Sequence, residues 1–336
     1  MLIVPILLEI DVVSSNPATV LFVRLQLYLK HIRSPTPVQV SIVHTMKSSS
    51  VSSPTPDPHA RAPSWTDADL TEIDPHARAD KAQRVQAMFA AIARSYDLNN
   101  RLHSLWQDQR WRKSAVRAAK IMPGESVLDC ACGTGDLTLA FARTAAKTVT
   151  GLDFTSEMLN LAKIKTERLA EQNGINLATV RYVQGDAQSL PFPDHTFDVV
   201  SIAFGIRNVQ NPEQAVREFY RVLRPAGRLV ILEFDRPRLA PVRWINDFYC
   251  GQLMHRTATL ISHDKSGAYK YLPRSVGTFM GSGALAEMLD SLGFTKITIK
   301  SLSLGICMRT LCHKPATGDC SGGETCPPLS DSLSSA

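Results

Sequence analysis

From Asp80 onward apolar side chains fall at helical spacing: Val85, Met88, Phe89, Ile92, Ala93 and Tyr96 recur at i, i+3, i+4, i+7, i+8 and i+11 and form one stripe. Asp80, with Gln83 three positions on, reads as a capping pair for this helix. A second helical stretch follows from about Asn100 to Lys120. After Pro123-Gly124 the period changes. Short apolar runs at Val127–Ala131, Val149–Asp153, Val180–Val183, Phe197–Phe204 and Arg228–Phe234 read as strands, with helical patterns near 136–147, 156–172 and 212–223 between them. Strands separated by helices make βαβ units, which predicts a Rossmann-like, doubly wound α/β fold with a mostly parallel sheet. A helix near 283–292, ended by Gly293, leads into Lys296–Lys300 and Ile306–Leu311, two runs that predict an antiparallel C-terminal edge.

Upstream of this pattern the chain is different. Nine of its 20 prolines lie within the first 75 residues, beside the run Ser48-Ser49-Ser50-Val51-Ser52-Ser53, so residues 1–79 are expected to be mostly unstructured. Their apolar patches are interrupted by Pro5, Glu9, Asp11, Pro17 and Arg24, short of the roughly 18 apolar residues of a spanning helix. No basic start marks a secretory signal, the acids argue against a transit peptide, and Met46 offers an alternative start. The last 20 or so residues, rich in Gly, Ser, Pro and Thr, read as a flexible tail.

Composition narrows the classes. The 336 residues are 44% apolar and 20% charged, ordinary for a soluble globular chain of one or two domains. The net charge of +6 is spread along the chain and does not demand nucleic acid. Seven cysteines, an odd number without CxxC pairs, fit a reducing, cytoplasm-like compartment. No metal is expected: Cys307, Cys312, Cys320 and Cys326 do not pair at zinc spacings, and only His313 accompanies them.

The strongest local signal is Val127-Leu128-Asp129-Cys130-Ala131-Cys132-Gly133-Thr134-Gly135-Asp136-Leu137, a strand, a glycine turn and a helix start. Glycines there let backbone approach a ligand. A dinucleotide fingerprint needs a third small residue where Thr138 stands, and Asp129 would repel a pyrophosphate, so an NAD-dependent oxidoreductase is disfavoured. A carboxylate at that strand end suits an ammonium group such as that of S-adenosylmethionine. Asp153, at the end of the second strand, is placed to accept from both ribose hydroxyls of a nucleoside. Asp186 follows the third strand, where its side chain suits an adenine amino group while the backbone N–H of Ala187 suits a ring nitrogen.

Beyond these acids, the chain carries Tyr96-Asp97 with Asn100, Ser104 and Trp111; Met158-Leu159; Pro191-Phe192-Pro193 before Phe197-Asp198; Phe204-Gly205-Ile206-Arg207-Asn208; the run from Arg221 to Leu229 through Glu233; and Tyr269-Lys270-Tyr271-Leu272-Pro273. With these motifs, residues 81–314 resemble the class I S-adenosylmethionine-dependent methyltransferases, and more narrowly the ubiquinone/menaquinone biosynthesis C-methyltransferases (UbiE family). Departures from the family pattern are Asn99-Asn100, Trp106 and Asp108, Ala226 in place of the more usual Gly, and Asp235 in place of Ser.

The resemblance implies an S-adenosylmethionine-dependent C-methyltransferase acting on a ring carbon of a polyprenylated hydroquinone, either demethylmenaquinol or 2-methoxy-6-polyprenyl-1,4-benzoquinol. The expected cofactor residues are Asp129, Gly133, Thr134, Gly135, Asp153, Asp186 and Ala187. Arg207 is expected to face the cleft and stabilise a phenolate with Asn208 beside it, or else to form a structural salt bridge with an acid of the first helices, and Tyr96 or Asp97 to relay a proton unless Tyr96 simply continues the core stripe of its helix. The alternatives are a methyltransferase for another small molecule, such as a sterol or phenol, and a nucleotide-binding module without catalysis. The expected organisation is an extension over 1–79, covering helices over 80–122, the methyltransferase domain over 123–315 and a tail over 316–336. Trp106, Trp111, Trp244, Phe248, Tyr249, Tyr269 and Tyr271, near basic residues, read as a lid for peripheral contact with the inner face of a membrane, or as core or a homo-oligomer interface.

Overall fold

The computed structural model describes residues 64–66, 69–70, 74–173, 179–262 and 266–316. The expectations for residues 1–63 and 317–336, with Cys320 and Cys326, lie outside them.

Seven strands form one sheet in the order β3-β2-β1-β4-β5-β7-β6. They are β1 Ser126–Cys130, β2 Thr148–Asp153, β3 Val180–Gln184, β4 Phe197–Ala203, β5 Leu223–Phe234, β6 Thr295–Leu302 and β7 Cys307–His313. The first five pair in parallel, as the βαβ pattern predicts, and β7 runs antiparallel to both β5 and β6. Alternate side chains of each central strand enter opposite cores. Leu128, Val200 and Ile231 pack with Phe219, Leu285 and Leu289 on one side, whereas Val127, Val199 and Val230 pack with Ala115, Leu137 and Phe141 on the other. Such two-sided burial requires strands rich in β-branched and aliphatic residues.

Helix α1 (Lys81–Ser104) buries Val85, Met88, Ile92 and Ala93 of the predicted stripe. Two points differ from expectation. Asp80 makes no cap bond; its carboxylate instead accepts from Arg78 and Arg84, at 2.8 and 2.6 Å. The second helix does not begin at Asn100. Helix α1 continues to Ser104, Leu105 and Trp106 turn the chain with φ of 52° and 61°, and α2 spans Gln107–Ala119. After β1 come α3 (Asp136–Ala142) and, after β2, α4 (Ser156–Asn173). Helix α5 (Pro212–Val222) shows its cause in sequence. Asn211 caps the Gln214 N–H at 3.1 Å, Pro212 occupies the first turn, and Ala215, Val216, Phe219 and Val222 form the buried face.

The stretch without a strong sequence signal holds three helices, α6 (Ala240–Phe248), α7 (His255–Ser262) and α8 (Ala268–Thr278), with a π turn at Tyr249–Met254 joining the first two. Pro273 inside α8 hid that helix from a pattern reading. Helix α9 (Ser282–Ser291) precedes β6. Among the described residues no helix is long and apolar enough to cross a membrane.

The boundary at residue 79 needs correction. Trp65 and Leu70 are buried with Val85, Met88 and Tyr271 in a cluster of their own, so packed structure begins before Asp80. Proline density obscured it. The lid reading also divides: Trp111, Tyr269 and Tyr271 are buried, while Trp106, Trp244 and Phe248 are exposed.

Candidate active site

The strand order reverses between β1 and β4, and a cleft opens at the carboxyl ends there, where ligands bind in doubly wound folds. Its floor comes from four strand ends and the turns after them: Ala131 and Gly133 after β1, Asp153 at the end of β2 with Phe154 and Thr155, Gly185 to Gln188 after β3, and Phe204, Gly205 and Asn208 after β4. The cover is α1, through Ala82, Val85, Gln86, Phe89 and Tyr96. Six expected site residues therefore share one cleft: Tyr96, Gly133, Asp153, Asp186, Ala187 and Asn208.

One end is made of backbone and carboxylates. Gly133 takes φ of 56°, and a Cβ there would meet only Tyr96 Cε1, at 3.9 Å, so a side chain would project into the cleft. Its N–H donates to Asp153 Oδ2 at 2.8 Å, and the Thr155 N–H donates to Asp153 Oδ1 at 2.8 Å. Burial raises the Asp153 carboxyl above the usual range while these bonds oppose the rise. Each oxygen keeps a further lone pair for a ligand. Asp186 accepts from the Gln188 backbone at 2.9 Å and from its side-chain amide, which fixes the carboxylate after β3.

The other end is made of side chains. Val85, Phe89, Phe204 and Val209 give it an apolar wall in which Asn208 carries the polar atoms, and Tyr96 stands between this wall and the Gly133 turn. Burial pushes the Tyr96 phenol up, so it holds its proton. Asn208 donates through Nδ2 to the Phe204 carbonyl at 3.2 Å and accepts at Oδ1 from the Tyr271 hydroxyl at 3.1 Å.

Five expected residues stand elsewhere. Asp129, 1% exposed, lies under the turn because strand alternation aims it at α3; it accepts from Thr138 at 2.7 Å and Ser201 at 2.9 Å. Burial pushes its carboxyl up to about 6. Thr134 donates to Asp97 at 2.6 Å, and Lys165 of α4 pairs with Asp97 at 2.5 Å and Asp136 at 2.8 Å, so Thr134 and Asp97 tie α1 to the glycine turn instead of facing a substrate. Gly135, with φ of 82°, leads into α3 where a Cβ would stand 2.5 Å from the Tyr182 hydroxyl; its role is close packing. Arg207 does not face the cleft. It is paired in the interior with Glu233 of β5 at 2.5 Å, the two side chains 5% and 0% exposed, and it donates to the Phe204 carbonyl at 2.8 Å. The reason is physical: β5 ends with a buried carboxylate that needs a cation, and Arg207 is the one beside it.

Sequence reasoning gave no site role to Glu233, Tyr271 or Lys81. Their partners Arg207, Asn208 and Val209 lie 26, 63 and 128 positions away, so no local spacing could reveal them. Among the described residues no cluster of His, Cys, Asp or Glu is arranged to hold a metal.

The model of the ubiE/COQ5 methyltransferase family matches residues 77–314. The chain belongs to that family. The Ubiquinone/menaquinone biosynthesis C-methyltransferases UbiE of Escherichia fergusonii and of Citrobacter koseri are each 35% identical to it over 232 residues, covering 68% of this chain and 90% of theirs. A solved SAM dependent methyltransferase from Aquifex aeolicus aligns with TM-score 0.43 and 17% identity, over 60% of this chain and 88% of that one. This ubiE/COQ5 family member is a methyltransferase enzyme, and its cofactor is S-adenosylmethionine. The cleft fits such a cofactor: a glycine turn leaves room where a Cβ would intrude, and two buried or half-buried carboxylates stand at consecutive strand ends.

Proposed function

We propose that this methyltransferase moves a methyl group to a ring carbon of a polyprenylated hydroquinone, demethylmenaquinol or 2-methoxy-6-polyprenyl-1,4-benzoquinol, in menaquinone or ubiquinone biosynthesis. The observation that carries the proposal is that one cleft brings together strand-end carboxylates, Asp153 and Asp186, and an apolar lining covered by α1. A nucleoside cofactor suits the first and a flat apolar ring the second.

Asp153 would accept the ribose hydroxyls, Asp186 the adenine amino group, and the Ala187 N–H a ring nitrogen, with the Gly133 turn against the amino-acid part. Bound there, S-adenosylmethionine supplies an electrophilic methyl group. The chain's own work is on the acceptor. A ring carbon is a sufficient nucleophile only when its neighbouring hydroxyl is ionised or nearly so, so charge must be stabilised on that oxygen and a proton must leave. Asn208 keeps one amide hydrogen and Tyr96 its hydroxyl hydrogen for that oxygen, and α1 excludes water above them. Arg207, held by Glu233, acts one layer behind by fixing the Phe204 carbonyl to which Asn208 donates.

A prenylated substrate resides in a bilayer, and α6 offers the means to reach it. Trp244 and Phe248 stack on its outer face, 71% and 58% exposed, and the stretch that carries them holds Arg236, Arg238, Arg243 and Arg256 against two acids, Asp235 and Asp247. Such a face suits an anionic lipid surface. Replacing both aromatics by Ser is expected to abolish sedimentation with anionic vesicles and leave turnover of a short-chain quinol intact.

The deciding experiment incubates the purified protein with labelled S-adenosylmethionine and, separately, short-chain demethylmenaquinol, the methoxy-benzoquinol, a simple phenol and a sterol. A C-methylated quinol identified by mass supports the proposal. Product only from the phenol or sterol, or from no acceptor, rejects it.

A further inference from the structure

We infer that residues 64–66, 69–70 and 74–80 act as a strap in which Trp65, through the ring of Tyr271, is a positioning residue for Asn208 at the acceptor end of the cleft. This inference rests on the reading of that end as the place of the acceptor ring.

The strap is tied to both elements it joins. The Trp65 N–H donates to the Ser266 carbonyl at 2.9 Å, and at Gly267 a Cβ would come within 2.3 Å of the Trp65 carbonyl oxygen, so only glycine permits this approach. Arg84 of α1 donates to the Ser64 carbonyl at 2.6 Å and lies over the indole with its guanidinium 5.7 Å from the ring. Asp69 pairs with Arg78 at 2.7 Å and Arg84 at 3.2 Å. His76 Nε2 donates to the Ser275 carbonyl of α8 at 2.9 Å. Closer to the cleft, Lys81 donates to the Val209 carbonyl at 2.6 Å and the Ala82 N–H to Gln210 at 3.1 Å.

Within that frame the indole, 3% exposed, stacks on Tyr271 with centroids 4.6 Å apart and planes at 28°. The position of a tyrosine hydroxyl follows from the plane of its ring, because the C–O bond is rigid within it. Trp65 therefore sets where the Tyr271 hydroxyl stands. Burial pushes that phenol up to about 12, so it is a donor at neutral pH, and its acceptor is Asn208 Oδ1 at 3.1 Å. With Nδ2 bound to the Phe204 carbonyl, both ends of the Asn208 amide are fixed, and one N–H direction is left for a ligand. Without the stack, Tyr271 loses one wall and Asn208 one of its two anchors. Trp65 lies outside residues 77–314, the part of the chain that the family model matches.

The test uses the full chain and the variants Trp65→Leu, Trp65→Phe, Tyr271→Phe and Trp65→Leu with Tyr271→Phe. With the quinol acceptor, Tyr271→Phe and Trp65→Leu are each expected to lower kcat about tenfold, the loss of one hydrogen bond of about 1.4 kcal/mol, with cofactor Kd within about twofold. Trp65→Phe should restore most of it. The double variant should be no slower than Tyr271→Phe, since both substitutions act through one hydroxyl. Multiplicative losses, or a Trp65→Leu variant with normal kcat, overturn the inference. A second readout needs no acceptor: hydrogen exchange of the Asn208 side-chain amide, followed by NMR, should lose protection in Trp65→Leu and keep it in Trp65→Phe. Unchanged protection overturns the strap. A wild-type enzyme that methylates no quinol overturns the acceptor assignment instead, and leaves the exchange test in force.

Discussion

The two ends of the cleft are built by different means. At the cofactor end, Gly133, Asp153 and Asp186 sit on turns that leave parallel strands in fixed register, and the Asp153 carboxylate is held by two backbone N–H groups within 20 residues of it. At the acceptor end, Asn208 is held by Tyr271 and by a turn that Arg207 and Glu233 brace from β5, and the cover comes from α1. The first end is a product of local chain geometry on a sheet. The second is a product of side-chain pairs between distant segments, so single substitutions there should disturb more than the atom removed.

The largest expected effect follows from this difference. Glu233→Gln leaves the Arg207 charge buried without its carboxylate, a change that typically costs about 3–5 kcal/mol. Urea denaturation should show that loss, and turnover should fall with it because the Phe204 carbonyl loses a braced donor. Cofactor affinity, measured at a temperature where the variant is folded, should hardly move. A variant as stable as wild type would show that the pair is dispensable and that the acceptor end is no more tightly coupled than the other.

Asp153→Ala probes the opposite end. It removes the acceptor for the Gly133 and Thr155 N–H groups and the proposed ribose contact, so cofactor binding should weaken by about 1.5–3 kcal/mol in titration calorimetry, with the quinol KM little changed. Asp129→Ala should act on stability first, since Thr138 and Ser201 lose their buried acceptor. Equal effects of both on binding, without loss of stability, would return Asp129 to the role its position in the sequence suggests.

The same contrast explains what could be read from the chain alone. The parallel strands, the antiparallel edge and the glycine turn with its strand-end acids follow from hydrophobic period and composition, all features within about 20 residues of each other, and these were legible. Asp129 misled because an acid before a glycine turn has two destinations, and strand alternation sends this one to the α3 side. Arg207 misled for a related reason. Gly205 does turn the chain after β4, but Glu233, 26 positions on, decides where the guanidinium goes. Trp65 was hidden by the prolines around it, and α8 by Pro273.

The smallest effect sharpens the comparison at the seam between strap and cleft. Lys81 is 1% exposed and donates to the Val209 carbonyl, a cleft-lining residue. Burial lowers its pKa to about 8, with Arg207 adding to the depression and Asp74 opposing it. In the unfolded chain a lysine titrates near 10.4. Between those values the unfolded state binds more protons than the native state, so stability rises with pH across roughly 8 to 10.4 and the penalty for burying the charge is present in full below it. Lys81→Met has no such term. The stability difference between wild type and Lys81→Met should therefore shift in favour of wild type by about 1–2 kcal/mol from pH 8 to pH 10, whatever its value at pH 7. Comparing the two proteins cancels the other groups that titrate in that range. Parallel stability curves would mean that Lys81 keeps its ordinary pKa, and hence that water reaches the seam the strap is argued to close.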